Sequence, residues 1–492
     1  MSSSASPSHP DGHLLIGGKW VEASGRPYPV VNPATEETVG LAPQATVADA
    51  EAAAAAAAEA LPGWAATDPA ERLALMAAAA TAIRARAPDL LPLVIAETGA
   101  TAAVGSRMQV PVAADRFDRY SRDLRHVAVR PLAPQVAQTT PLAPGGLVSA
   151  LVNRAPVGVV TCITSYNFPL VNMAGKVAPA LAMGNTVVVK PAPQDPLAVI
   201  ELVSILDEVG FPPGVVNLVT SSDPAPASAL VSSADVDMVS FTGSTAVGVR
   251  IAEAGAPTMK RLLLELGGKG ACLVFDDADV AAAIGCIGST WSFHSGQICT
   301  APTRAVVHRS ILDKVTDGLS RYAAALTVGD PTDTKTVVGP VISAAHRDRV
   351  EAYVATGVAE KAELLAGGAR PSHLDRGFYV TPTLLLGTNQ MTVARDEIFG
   401  PVVVVIPFDD DDEAVAIAND SDFGLYDYVF SADTARAFAV AKSLRAGHVG
   451  INTAQRNHEA PFGGFKMSGL GRDGGDYGLE AYSEIQSIIW TG

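Results

Sequence analysis

At 492 residues, 48% hydrophobic and 17% charged, the chain is long enough for two or three domains with a large core, and it reads as globular and not disordered. A net charge of −16, from 35 basic and 51 acidic residues, comes with no basic cluster. That disfavours nucleic acid or an anionic membrane as partner, because both need concentrated Lys and Arg.

The four cysteines, Cys162, Cys272, Cys286 and Cys299, show neither CxxC pairing nor metal-ligand spacing, so no disulfide framework and no metal site is expected. Free thiols suit a reducing compartment. The start, 1–12, is Ser/Pro-rich without Arg or an apolar core, unlike a secretory or transit peptide. No apolar run approaches the ~18 residues a membrane helix needs. A cytoplasmic protein without a membrane partner is expected.

Taken in order, 14–20 predicts a short strand and turn after a loose tail. The Ala-rich stretch 46–60 predicts a helix, since alanine has the highest helix propensity. Residues 68–86 continue helical, with Asp68 and Pro69 suited to the cap and first turn. The proline-rich 132–144 is either a linker or an extended arm, and the alternation over 147–152 predicts a strand. From 156 to 275 strand and helix signals alternate as in a parallel βαβ sheet: strands at 157–163, 186–190, 215–219 and 238–241, helices at 170–183, 197–209 and 246–254.

The second half continues in this style. Strands are predicted at 271–275 and 305–307, and helices at 279–293 and 312–326. The β-branched run 402–407 suits a buried parallel strand. Asp409 to Asp412 read as a solvated loop capping the next helix in preference to a metal site. No internal repeat of fixed period is visible.

Three segments carry chemistry. Phe293-His294-Ser295-Gly296-Gln297-Ile298-Cys299-Thr300 offers a thiol, Glu265-Leu266-Gly267-Gly268-Lys269 a carboxylate leading into two glycines, and Tyr166-Asn167-Phe168-Pro169 a neutral amide. Singly they are weak: a lone Cys is more often a small buried hydrophobe, and Glu or Asn in such settings are turn formers. Together they offer a nucleophile, a general base and an oxyanion donor. No GxGxxG follows a strand, but Phe241-Thr242-Gly243-Ser244 places amides and a hydroxyl at a helix start, a site suited to a pyrophosphate, though Ser and Thr are also ordinary caps.

In order and spacing these motifs resemble the aldehyde dehydrogenase superfamily, over almost the whole chain. The resemblance extends to Glu397-Ile398-Phe399-Gly400-Pro401 and to the long segment 461–472. It implies an α/β fold: a Rossmann-like cofactor domain (1–128 and 147–263), an α/β catalytic domain (264–473), and a small β oligomerisation arm (129–146 and 474–492). A homodimer or homotetramer is then expected. The implied reaction is oxidation of an aldehyde to a carboxylate. Cys299 forms a thiohemiacetal and then a thioester, Asn167 holds the oxyanion, Glu265 activates water, and Lys176 lies near a proton path. Lys190, Thr242, Gly243, Ser244, Glu397, Phe399, Ile163 and Gly267 are the implied cofactor residues. Many NAD-using relatives have a Glu where Pro193 stands here, so NAD is expected with NADP possible.

The implied substrate pocket comprises Phe168, Asn172, Gly175, Phe293, Ile298 and Phe462, which favours an apolar aromatic or medium-chain aldehyde. Succinate-semialdehyde relatives put an Arg at the position of Gly175, which counts against an acidic semialdehyde. Arg456, Asn457 and His458 are either substrate-facing or merely solvated. A semialdehyde dehydrogenase, a thiol esterase or hydrolase without redox role, and a structural protein on an enzyme scaffold are the competing readings.

Overall fold

The computed structural model describes residues 12–122 and 129–491. The tail read at 1–12 therefore lies outside the described residues, Gly12 apart, as does the expected boundary at 128. Among the described residues two large sheets dominate. The first has eight strands in the order Lys19–Glu22, His13–Ile16, Val216–Leu218, Thr186–Lys190, Val159–Ile163, Met238–Thr242, Arg261–Glu265, Gly469–Leu470. Its five central strands are parallel, and the N-terminal hairpin and Gly469–Leu470 are antiparallel additions at its edges. Their side chains are mostly apolar and most of them buried, as in parallel sheets covered on both faces.

The second sheet has seven strands, running Glu363–Ala366, Thr383–Leu386, Val402–Phe408, Arg304–His308, Ala271–Val274, Tyr426–Phe430, His448–Ile451. All of its pairings are parallel except the first. The α/β fold expected from the alternating pattern is the one present.

Local chemistry explains the element bounds. The helix Val47–Ala66 begins at a capping box, in which the Thr46 hydroxyl accepts from the Asp49 N–H and the Asp49 carboxylate accepts from the Thr46 N–H. It runs beyond the expected end through Pro62, and its last turn is anchored by the buried Trp64. The helix Pro69–Ala85 starts as expected, with Asp68 capping it and Pro69 in the first turn. In the acidic run Asp410 caps the helix Asp411–Asn419, and Asp411 also pairs with Arg436.

A third sheet of three strands, Ser483–Thr491, Gly146–Pro156 and Val129–Ala137, stands apart from the other two. The prolines of Val129–Ala137 are tolerated because the strand is at an edge, with its register shifting between Leu132 and Gln135, around Pro134. Two elements depart from the boundaries expected from sequence. Gly146–Pro156 pairs in this sheet and not in the first, because Ser483–Thr491 matches it residue for residue along nearly its full length. The helix Gly475–Ala481 belongs with the first sheet's core, into which Leu479 and Tyr482 are buried.

Candidate active site

Four neighbouring parallel strands of the first sheet end on Lys190, Ile163, Thr242 and Glu265. The strand order reverses between Val159–Ile163 and Met238–Thr242, so these residues line the carboxyl-end crevice at a topological switch point. Glu265, whose following glycines left a turn reading open, is the last residue of a strand. Its register partner is Thr242, and its carbonyl accepts from the Gly243 N–H at 3.0 Å.

The Cys299 loop links the helix Val280–Ser292 to the strand Arg304–His308. It enters through three successive left-handed residues, His294 (φ 52°), Ser295 (φ 56°) and Gly296 (φ 73°). Such conformations cost about 1–3 kcal/mol for each non-glycine residue and persist where surrounding contacts fix them. Here Ser295 Oγ donates to the Gly339 carbonyl at 2.7 Å. The buried Gln297 donates to the His294 carbonyl at 3.2 Å and accepts from the Ile342 N–H at 3.0 Å. At Gly296 a Cβ would lie 2.2 Å from the Gly400 carbonyl oxygen, and at Gly268 it would lie 2.1 Å from that of Cys299. Glycine at both positions lets three loops meet at the thiol.

Cys299 is half-buried, whereas Cys162, Cys272 and Cys286 are buried. Burial pushes its thiol up to about 12; the Arg456 guanidinium pulls the other way, and Glu397 and Glu265 add to the rise. Asn167 sits beside it: Nδ2 donates to the Gln297 carbonyl at 2.9 Å, which occupies one of its two hydrogens. Its Oδ1 accepts from Ser165 Oγ at 2.8 Å and Asn172 Nδ2 at 3.3 Å, which fixes the amide with its nitrogen toward the Cys299 loop.

Glu265 is buried, and both its carboxyl oxygens lack a hydrogen-bond partner among the described residues. Burial holds its pKa well above the usual carboxylate range. The Asp473 charge raises it further, while Lys176, Arg472 and Arg116 oppose this. Lys176 is also buried; its Nζ donates to Ser240 Oγ at 3.3 Å, which in turn bonds the Tyr482 hydroxyl at 2.7 Å. Desolvation lowers the Lys176 pKa, against the pull of Asp473 and Glu265. Asp473 was not singled out from sequence, since its place depends on a strap in which Phe462 and Asp473 exchange backbone bonds of 2.6 Å.

The remaining expected residues divide by location. Ser244 caps the helix Thr245–Gly255 without a side-chain capping bond and is exposed, so its hydroxyl and the first-turn amides are open to an anion. Val247 and Val249 on that helix are each 40% exposed, offering apolar surface beside it. Lys190 Nζ donates to the Pro191 and Ser221 carbonyls at 3.0 and 3.4 Å, and desolvation brings its pKa down to about 8. Glu397 accepts from the Gly268 N–H at 2.9 Å; burial raises its carboxyl to about 7 against that bond and Lys269. A Cβ on Gly267 would lie 2.4 Å from the Glu397 carboxylate, so the two segments need this glycine. Phe399, left-handed at φ 59°, holds its ring edge-on to Tyr166. The set fits a dinucleotide, with an open helix start for phosphate and a carboxylate for a ribose.

Among the pocket residues, Phe168 packs 5.9 Å from Phe293, and Ile298 is half-buried next to Cys299. Asn172 Nδ2 donates to Asn167 Oδ1 and to Ser165 Oγ, and so supports Asn167. A Cβ on Gly175 would meet only Asp473 Oδ2, at an ordinary 3.5 Å, so close helix packing does not demand glycine there. Phe462 lies 4.8 Å from the His448 ring, on the side of Cys299 reached by Arg456.

Known proteins resemble the chain along nearly its whole length. The family model described as "Aldehyde dehydrogenase family" matches residues 20–488. A 3-succinoylsemialdehyde-pyridine dehydrogenase from a Pseudomonas species is 40% identical over 97% of this chain and 98% of its own. Among solved structures, a cysteine-to-alanine mutant of aldehyde dehydrogenase C from Pseudomonas syringae, complexed with NAD+ and octanal, is 37% identical; it superposes with a TM-score of 0.90 over 98% of both chains. A betaine aldehyde dehydrogenase point mutant from Staphylococcus aureus in complex with NAD+ is 33% identical, with a TM-score of 0.91 over 98% of both chains.

Proposed function

Since the chain belongs to the aldehyde dehydrogenase family, we propose that it oxidises an aldehyde with an apolar aromatic or medium-chain body to the carboxylate, using NAD and, less well, NADP. The observation that carries this reading is a half-buried thiol flanked by a fixed amide and by a buried carboxyl with no hydrogen-bond partner among the described residues.

Cys299 loses its thiol proton to solvent and the thiolate adds to the carbonyl carbon, while the free Asn167 N–H donates to the oxygen as it gains charge. A nicotinamide dinucleotide held by Ser244 and Glu397 would supply the hydride acceptor, and the thiohemiacetal on Cys299, once it has lost a hydride, is a thioester. Glu265 then takes a proton from water, which attacks the thioester and releases the acid. Lys176 and Asp473 set the charge around Glu265 and so the pH at which it can accept that proton. Ser244 and the first turn of its helix would hold the pyrophosphate, and Glu397 a ribose. The test is a panel of aldehydes with NAD and NADP, read as reduced nicotinamide; a protein that turns over esters but no aldehyde would be a hydrolase instead.

Cofactor choice follows from Pro193, half-buried three residues beyond Lys190. It offers neither a hydrogen bond to a ribose hydroxyl nor repulsion of a 2′-phosphate. Pro193→Glu is expected to raise the NAD/NADP ratio of kcat/KM by about tenfold or more, the scale of one charge-assisted bond. A wild type that already excludes NADP would place selectivity elsewhere.

Substrate size is expected to respond at Gly175. Gly175→Leu adds bulk beside Asp473, where a Cβ fits at an ordinary contact distance, and should cut kcat/KM for benzaldehyde-sized aldehydes more than for acetaldehyde. Each buried CH₂ lost from contact is worth about 0.8 kcal/mol. Equal losses would remove Gly175 from the pocket wall. The arm sheet exposes Val136, Ile485 and Ile489, each more than 60% accessible. Apolar exposure on strands of this kind supports pairing with further copies of the chain in a dimer or tetramer.

A further inference from the structure

The reading above leaves one charged group near the thiol without a role. Arg456 is an exposed residue, yet its guanidinium folds back toward the thiol. It lies 5.2 Å from the Phe462 ring centroid and 5.6 Å from that of Tyr426. Its Nη2 bonds Thr300 Oγ1, on the residue that follows Cys299. Of the charges acting on the Cys299 thiol, that of Arg456 is the leading one.

The rings behind it are themselves fixed. Tyr426 stacks on Tyr428 at 4.6 Å and on His448 at 5.1 Å, and the Tyr428 hydroxyl donates to the Thr300 carbonyl at 2.9 Å. Among the described residues no carboxylate lies within ion-pair distance of Arg456. The nearby Glu459 is taken by Arg119. His448 cannot supply a competing charge, since burial, with help from Arg456 and Arg472, brings its pKa down to about 4.

A guanidinium held over two rings, with one nitrogen fixed and others free, is a pre-oriented fork for a carboxylate. We infer that Arg456 binds a carboxylate carried by the substrate, so that the preferred aldehydes are acids bearing an apolar or aromatic spacer. This rests on the aldehyde dehydrogenase reading of the same site and names its substrate class. The glycine at 175 carries no cation on the helix after Asn167; Arg456 supplies one from the loop that leads into Phe462. The sequence-based expectation against an acidic semialdehyde weighed only the glycine.

The test compares matched pairs, 4-carboxybenzaldehyde with benzaldehyde and succinic semialdehyde with butanal, in wild type, Arg456→Met and Arg456→Lys. The quantity read is the acid-to-neutral ratio of kcat/KM, in which any uniform effect of Arg456 on the thiol cancels. Wild type should favour the acid of at least one pair. Arg456→Met, which keeps the packing on the rings, should lower that ratio ~10–100-fold, mainly through KM. Arg456→Lys should keep part of it, having the charge without the fork. A ratio unchanged in Arg456→Met would overturn the inference and leave Arg456 as a thiol-activating charge. A wild type that prefers the neutral member of both pairs would overturn it too, with the aldehyde dehydrogenase reading intact. Absence of reduced nicotinamide with every aldehyde would instead defeat the reading on which the inference rests.

Discussion

Cys299→Ala is expected to lose dehydrogenase turnover and any esterase activity by a factor on the order of 10⁴ or more, while the fold and nucleotide binding persist. The covalent intermediate has no substitute, because Cys162, Cys272 and Cys286 are all buried. The loop does not depend on the thiol for its shape. Its anchors are Ser295 on the Gly339 carbonyl, Gln297 on Ile342, and Asn167 on the Gln297 carbonyl. Steady-state rates, with circular dichroism and nucleotide titration as controls, check this. Turnover near the wild-type level would remove Cys299 from the chemistry.

Glu265→Gln should separate the two halves of the reaction. The first hydride transfer should survive as a burst of reduced nicotinamide, while steady turnover falls ~10²–10⁴-fold, the usual contribution of a general base. The pH profile carries the same assignment. Glu265 acts as a base only when ionised, and its pKa is raised by burial and by Asp473. Deacylation should therefore rise with pH through a limb above the ordinary carboxylate range and then level off. Removing the Asp473 charge in Asp473→Asn should move that limb to lower pH, and Lys176→Met should move it higher. A limb that survives in Glu265→Gln would belong to another group. Equal loss of burst and steady state would argue against a purely hydrolytic role.

Much of the site could be read from local patterns, because the residues that do chemistry sit where chain direction changes. Lys190 and Thr242 each end a strand, and Pro191 and Gly243 mark those ends in the sequence; the Leu-rich strand Arg261–Glu265 carries no such mark, so nothing local shows that Glu265 ends a strand. The thiol stands out for its neighbours Gly296 and Gln297, which the loop needs for a left-handed turn and a buried amide.

What escaped was set by long-range packing. Arg456 is one of three polar residues in a loop, and nothing local says that Tyr426 and Phe462 will hold it against Thr300. Asp473 reaches Glu265 and Lys176 only through its backbone pairing with Phe462. The strand Gly146–Pro156 reads alike in either sheet, and its partner lies more than three hundred residues away at Ser483–Thr491. The left-handed Phe399 carries no signature, because phenylalanine does not favour that conformation.

The most direct test of the central claim is the mass of acid-quenched Glu265→Gln enzyme after mixing with an aldehyde, with and without NAD. The predicted result is an acyl adduct on the peptide that carries Cys299, formed only when NAD is present, because the thioester requires loss of a hydride. An adduct on another residue, or one that forms equally without NAD, would contradict a cysteine-based aldehyde dehydrogenase.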